Sequence, residues 1–259
     1  MTTASTVLAQ LSDPHVDVGR GDRESALALA AAVRGVLDLR RQPDAVLVSG
    51  DLVNTAAAPQ YERVRELLAP LPMPVYVMAG NHDDRDALRE YFALSDGSTG
   101  AVGTPFRYAV RCGGLRLLVC DSTIPGHEEG SFEAERRQWL QLELAAEPDT
   151  PTIVALHHPP LLTAMPAFDA IGLPDADRVA LGGLLADSPQ IVRVACGHIH
   201  RAIFDTVGGR GVVVCPSTHL QAPLEIGLTE LRLTNEPPGF AVHASTEAGV
   251  ASHIQPIRE

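Results

Sequence analysis

The chain has 259 residues and 27.5 kDa, with 45% hydrophobic residues, enough for one large core and at most a small appendage. Twenty arginines and no lysine face 32 Asp and Glu, for a formal net charge of −12. That balance argues against a nucleic acid polymer as partner, and the lack of lysine removes a P-loop lysine and any Schiff base.

From the N-terminus, Met1 to Thr6 lacks the basic and apolar segments of a leader, and no window reaches the roughly 18 apolar residues that a bilayer requires. A cytoplasmic protein without membrane attachment is expected. Val7 to Leu11 reads as a short buried strand, followed by Asp13 and His15 in a loop. Leu27, Ala30, Val33 and Leu37 recur at helical spacing within 23–40, and Pro43 closes that segment before the strand Ala45 to Val48. Pro59 opens a second helix carrying Tyr61, Val64, Leu67 and Leu68. A strand from Pro74 to Met78 and a short helix from Asp84 to Tyr91 come next.

The rhythm then changes. Phe106 to Val110 and Leu115 to Cys120 flank Cys112, Gly113 and Gly114 and read as a hairpin. A helix from about Glu133 to Ala146, using Trp139, Leu140, Leu142 and Leu144 in part on its buried face, precedes the strand Thr152 to Leu156. Four prolines in 159–174 predict a long loop; Asp175 to Ala186 is helical, and Ile191 to Ala195 is a strand. Further strands are expected at Ala202 to Val207, Val212 to Cys215 and Ile226 to Leu231, and the stretch from Asn235 is expected to be a peripheral extension. Early β–α alternation with later hairpins predicts two packed sheets with helices outside, not a simple open doubly wound sheet. The organisation expected is a catalytic domain over 1–234 and an extension over 235–259. Cys112, Cys120, Cys196 and Cys215 are widely spaced, form no CxxC pair, and suggest neither a disulfide framework nor a four-thiolate zinc site.

Polar pieces recur where apolar strands end: Asp13 and His15; Asp51 after Gly50; Asn81, His82 and Asp83 after Gly80; His157 and His158; His198 and His200 after Gly197. Asp51 follows a wholly apolar strand, where a carboxylate needs a partner, and it could give one oxygen to each of two metals or instead cap the turn at Asn54. Asn81 offers a neutral oxygen, and His82 beside it is placed to meet a substrate oxygen or leaving group; an Asx turn opening the next helix is the other reading. His198 and His200, one residue apart with strand-like geometry, would point alike. His157 and His158 on a strand would point to opposite sides, so only one is expected to bind metal. Such a donor set suits two divalent ions about 3.5–4 Å apart that activate water against a phosphate ester. Two carboxylates against two divalent ions leave a positive balance that attracts a phosphodiester.

These pieces, in this order over roughly residues 7–220, resemble the calcineurin-like metallophosphoesterases, and within them the bacterial class III cyclic nucleotide phosphodiesterases and their glycerophosphodiesterase relatives. The resemblance implies a four-layer αββα sandwich, an α/β fold of two mixed sheets flanked by helices. It implies that Asp13, His15, Asp51 and His200 hold one metal, that Asp51, Asn81, His157 and His198 hold the other, and that His82 is the non-ligand catalytic residue. Asp83 is expected to orient nearby histidines, and His158 to sit behind the ligands or on the substrate side. The metals implied are iron and manganese, with zinc or cobalt as alternatives, and a homodimer is common among these proteins. The expected activity is hydrolysis of a small phosphodiester, a cyclic nucleotide first. Glycerophosphodiesters, phosphomonoesters and a non-enzymatic metal-dependent interaction module are the alternatives. Met165 and Phe168 in the 159–174 segment are read either as a substrate-facing rim or as core packing.

Overall fold

The computed structural model describes residues 6–19, 23–92, 94 and 99–258; residues 1–5, part of the stretch examined for a leader, lie outside the described residues. The chain runs β1 (Thr6–Leu11), α1 (Arg23–Leu37), β2 (Ala45–Val48), α2 (Ala58–Leu68), β3 (Val75–Val77), α3 (Arg85–Phe92), β4 (Tyr108–Cys112) and β5 (Leu115–Cys120). It continues through α4 (Ala134–Ala146), β6 (Thr152–Leu156), α5 (Pro166–Asp169), α6 (Asp175–Ala186), β7 (Ile191–Cys196), β8 (Ile203–Val207), β9 (Arg210–Val214), β10 (Gly239–Thr246) and β11 (Gly249–Pro256).

Two mixed sheets result. The first is five-stranded, in the order β11-β10-β1-β2-β3, and the second is six-stranded, in the order β4-β5-β6-β7-β9-β8. β1, β2 and β3 are parallel to one another, as are β5, β6, β7 and β9. Parallel strands deliver their C-terminal ends to one edge, where ligands of open α/β sheets collect.

Strand alternation divides the core. Leu117, Val119, Ile153 and Ala155 of the second sheet pack with the first sheet and with Leu29, Val33 and Val36 of α1. Their neighbours Leu118, Cys120, Val154 and Leu156 face the other way, onto Leu140 and Leu144 of α4 and Leu181 and Leu185 of α6. The layers are therefore helices, sheet, sheet, helices. Among the described residues, no helix is long and apolar enough to cross a membrane.

Four expectations are corrected. The buried stripe of α1 is Leu29, Ala32, Val33 and Val36, whereas Leu27 is 63% exposed; an alanine-rich helix offers more than one apolar phase. Residues 226–231 form a turn and extended chain with no strand. The 159–174 segment contains the short helix α5, and Leu161, Met165, Phe168 and Leu173 are buried in the outer core.

The largest correction concerns 235–259. Its strand β10 pairs antiparallel with β1 from Thr6↔Ser245 to Gln10↔Ala241, and β11 closes a hairpin on β10. This segment is part of the first sheet, not a peripheral extension.

Candidate metal centre

Each chemistry-bearing residue stands just past the end of a parallel strand: Asp13 and His15 after β1, Asp51 after β2, Asn81 and His82 after β3, His157 after β6, His198 and His200 after β7. Their backbone is unusual. Asp13, His15, Asp51, His198 and His200 have φ of 49°, 43°, 49°, 72° and 53°, the left-handed region that costs a non-glycine residue on the order of 1–3 kcal/mol. The two histidines after Gly197 therefore converge by left-handed turns, not by the strand-like alternation expected of them. In the same way, Asp13 and His15 themselves bend the chain after β1.

Glycine is needed where these loops crowd together. Gly50 has φ 92°, and a Cβ there would strike the His157 ring. A Cβ on Gly80 would run into the Asp51 carboxylate and backbone nitrogen.

Two overlapping groups of donor atoms form, one from Asp13, His15, Asp51 and His200, the other from Asp51, His157 and His198; within each, the atoms lie within 4.8 Å of one another. Asp51 is common to both. Its Oδ2 stands 3.4 Å from His15 Nε2 and 3.3 Å from His157 Nε2. Asn81 Oδ1 is 3.1 Å from His157 Nε2 and 3.0 Å from His198 Nδ1, which places the neutral oxygen in the second group.

Three backbone carbonyls fix the ring orientations. His157 Nδ1 lies 2.9 Å from the Ser49 carbonyl, His198 Nε2 3.0 Å from Ile171 and His200 Nδ1 2.8 Å from Leu220. A carbonyl only accepts, so these nitrogens donate, and in the neutral rings the opposite nitrogens turn lone pairs inward. His198 Nδ1 then opposes the Asn81 amide oxygen, lone pair against lone pair, at 3.0 Å. A cation between the two would relieve this contact.

The electrostatics point the same way. Burial disfavours charge on His157, but the adjacent Asp51 carboxylate outweighs it and raises the imidazole to about 9. Burial also works against Asp51, and His157 and His15 nevertheless hold it well below the usual carboxylate range. Burial, with His158 and His157 nearby, pushes His198 well below its ordinary value. The carboxylate thus draws one positive charge even from a proton, and neutral imidazoles complete the set. Mixed nitrogen and oxygen donors of this kind fit two divalent ions.

The remaining predicted residues fall around this cluster. His82 donates its backbone N–H to Asp51 Oδ1 at 2.9 Å, turns Nδ1 to the Asn54 carbonyl at 2.9 Å, and stands edge-on to His15 with ring centroids 4.6 Å apart. It is half-buried and opens onto the cavity. Asp83 accepts the backbone N–H groups of Gly80 and Leu52 at 3.0 and 3.2 Å. It therefore orients the two ligand loops through their backbone, in place of the histidine contact expected of it. Burial, with the Asp51 charge nearby, raises its carboxyl to about 7.

His158 is buried, bonded to Ser122 Oγ at 2.9 Å and to the Glu128 carbonyl at 3.0 Å, with its ring 4.4 Å from that of His198. It lies behind the donor cluster and is not among the residues lining the cavity. Phe168 is 4% exposed, packs in the outer core and also lines the cavity. Met165, at 1% exposure, is core.

The cavity over the cluster has a volume of about 600 Å³. His219 lines it, together with Glu24 and Glu128, and none of the three was singled out from sequence. His219 sits in Ser217-Thr218-His219, a polar run two residues beyond the end of β9, after Cys215 and Pro216, so attention to polar residues past strand ends would have found it.

A sequence model described as Calcineurin-like phosphoesterase matches residues 6–202. The chain belongs to that family. Relatives with assigned activities match most of the chain. Glycerophosphodiester phosphodiesterase GpdQ of Enterobacter lignolyticus is 31% identical over 248 residues, covering 92% of this chain and 86% of that protein. The 3′,5′-cyclic adenosine monophosphate phosphodiesterase CpdA of Pseudomonas aeruginosa is 32% identical over 244 residues, covering 92% and 85%. In fold, a dimetal phosphatase from Danio rerio superposes with a TM-score of 0.72 at 15% identity, covering 98% of this chain and all of that one. With its two-metal donor set in a calcineurin-like fold, this protein is a metal-dependent phosphoesterase. The non-enzymatic interaction module is set aside.

Proposed function

We propose that this calcineurin-like phosphoesterase hydrolyses small phosphodiesters, preferring those whose alcohol carries hydroxyl or amine groups, as glycerophosphodiesters do. The observation that carries this reading is the cavity wall: beyond the donor cluster it presents the exposed carboxylates of Glu24 and Glu128 beside His219, acceptors for a polar or cationic alcohol. The glycerophosphodiesterase relative supports it. Cyclic nucleotides are the second reading, supported by the cyclic AMP phosphodiesterase relative at closely similar identity and coverage.

In this proposal Asp13, His15, Asp51 and His200 hold one ion, and Asp51, Asn81, His157 and His198 the other. Iron and manganese suit the nitrogen and oxygen donors. Two such ions supply Lewis acidity for the phosphoryl oxygens and for the attacking water. The Asn54 carbonyl takes the Nδ1 proton of His82 and aims Nε2 into the cavity, so only the imidazolium, with a second proton on Nε2, can serve the departing alkoxide. Asp83 holds the Asp51 and Asn81 loops at a fixed separation.

A panel of glycerophosphodiesters, 3′,5′- and 2′,3′-cyclic nucleotides and phosphomonoesters, assayed with manganese, tests the proposal. The highest kcat/KM is expected for the glycerophosphodiesters. Preference for a cyclic nucleotide would select the second reading, and dominant monoester turnover would overturn both.

A further inference from the structure

Behind the metal centre, between the two sheets, lies a line of buried polar side chains with no part in the chemistry above. Ser12 donates its hydroxyl to Asp13 Oδ2 at 2.5 Å. A hydroxyl has one proton, so Ser12 Oγ can only accept from Ser49 Oγ, 2.7 Å away. Ser49 has then given its own proton and accepts from Gln10 Nε2 at 2.8 Å. The orientation of that amide is fixed independently, because Nε2 also faces the Cys196 carbonyl at 2.9 Å, and a carbonyl only accepts.

Gln10 Oε1 is thereby turned outward, where His243 Nε2 stands 2.9 Å from it and must carry the proton. His243 Nδ1 is left to accept from Ser252 Oγ at 2.8 Å. At each link a donor points toward Asp13, beside side branches from Gln10 Nε2 to the Cys196 carbonyl and from Ser49 Oγ to the Leu11 carbonyl at 3.2 Å. Gln10, Ser12, Asp13, Ser49 and His243 are all at 0% exposure, so each link left unmade would strand a buried polar group.

The Asp13 end shows what the chain achieves. Oδ2 is occupied by Ser12, while Oδ1 is left toward the ring nitrogens of His200 and His157 at 3.7 and 3.9 Å. The His198 backbone N–H lies 3.0 and 3.1 Å from the two oxygens and clamps the group across its fork. One oxygen is consumed by the scaffold and the other is committed to the cluster.

We propose that His243, through Gln10, Ser49 and Ser12, is a positioning residue for the Asp13 carboxylate and so sets the affinity of one of the two metal positions from the neighbouring strand β10. The inference rests on the two-metal reading of the site. Asp51, which serves both positions, receives nothing from this chain. Asp13 itself belongs to one donor group, so loss of the chain acts chiefly on that position.

The test is manganese(II) retention by the full chain against increasing chelator, read as ions per chain, with urea stability of the metal-free protein measured in parallel. In His243→Leu, which keeps the bulk and removes the donor, one ion is expected to leave at roughly three- to tenfold lower chelator, a smaller effect than the ten- to hundredfold common for a directly bonded partner. The second ion is expected to follow the wild-type curve. His243→Gln, whose amide can donate to Gln10 Oε1, is expected to restore the first. Ser49→Ala cuts the chain at its middle with little loss of volume and is expected to give the same selective loss, so the test stands even if His243→Leu does not fold. Equal weakening of both ions, or of neither, in the folded variants would overturn the inference while leaving the two-metal reading intact. Fewer than two ions in the wild-type protein would overturn that reading and the inference with it.

Discussion

At the scale of single residues, Asp51 and Asp13 differ in how many partners depend on them. Asp51 Oδ2 lies within 3.4 Å of ring nitrogens from both donor groups, whereas Asp13 belongs to one group. Asp51→Asn is therefore expected to lose both ions on dialysis, and Asp13→Asn chiefly one, as elemental analysis would show. Two ions retained with unchanged turnover in Asp51→Asn would contradict the shared role. His82→Ala has a different expected signature: near-normal metal content, with kcat lowered by about 10²–10⁴ if it supplies the proton. Loss of the ions in that variant would make His82 structural. These residues were legible in the sequence because a charged or imidazole side chain directly after an apolar strand has few uses other than a site. The Ser49, Ile171 and Leu220 carbonyls that set the ring orientations were not legible, since a backbone group is the same whatever residue carries it. The left-handed φ values at Asp13 and His200 were equally invisible, because nothing in an Asp or His announces a strained backbone.

At the scale of elements, the strands of the parallel core were read within a residue or two, since β1, β2, β5 and β6 are buried along their whole length and appear as largely apolar runs, interrupted inside by Gln10 in β1 and Arg116 in β5. β10 escaped for the opposite reason. The positions it buries after Phe240 include Ala241, His243 and Ser245, small or polar residues that leave no apolar alternation to count. Its His243 carries a consequence for pH. Burial, with Arg193 and His253 nearby, lowers the imidazole to about 3 from an ordinary 6.5, so below pH 6.5 the unfolded chain binds a proton that the folded chain refuses. Stability from this group is complete above pH 6.5 and declines as pH falls toward 3, at most about 1.4 kcal/mol per pH unit. Between pH 7.5 and 5, metal-free wild-type protein is expected to lose up to about 2 kcal/mol more than His243→Gln, which cannot titrate. Urea midpoints at the two pH values measure it, and parallel losses in the two proteins would refute the assignment.

At the scale of the whole molecule, the donor set is divided between the sheets. Asp13, His15, Asp51 and Asn81 follow strands of the first sheet, and His157, His198 and His200 follow strands of the second. Ions bound there join two layers that also meet through apolar packing, the Gln10 chain and bonds such as Tyr108 Oη to the Val77 carbonyl and Arg193 to the Val250 carbonyl. Binding to the folded state alone stabilises by about 2.7 kcal/mol per site at a free ion concentration a hundred times Kd, and here the stabilised element is the contact between sheets. The net charge of −12 adds to this, since four positive charges at the centre of an acidic molecule relieve part of its self-repulsion. Thermal unfolding is thus expected to shift upward as manganese is added to chelator-treated protein and to keep rising with the logarithm of its concentration once the sites fill. The same titration of Asp51→Asn is expected to stay nearly flat, because the variant retains the fold and most of the negative charge but lacks the shared ligand. A comparable rise in both proteins would mean that the ions act on the acidic surface and not at the junction of the sheets.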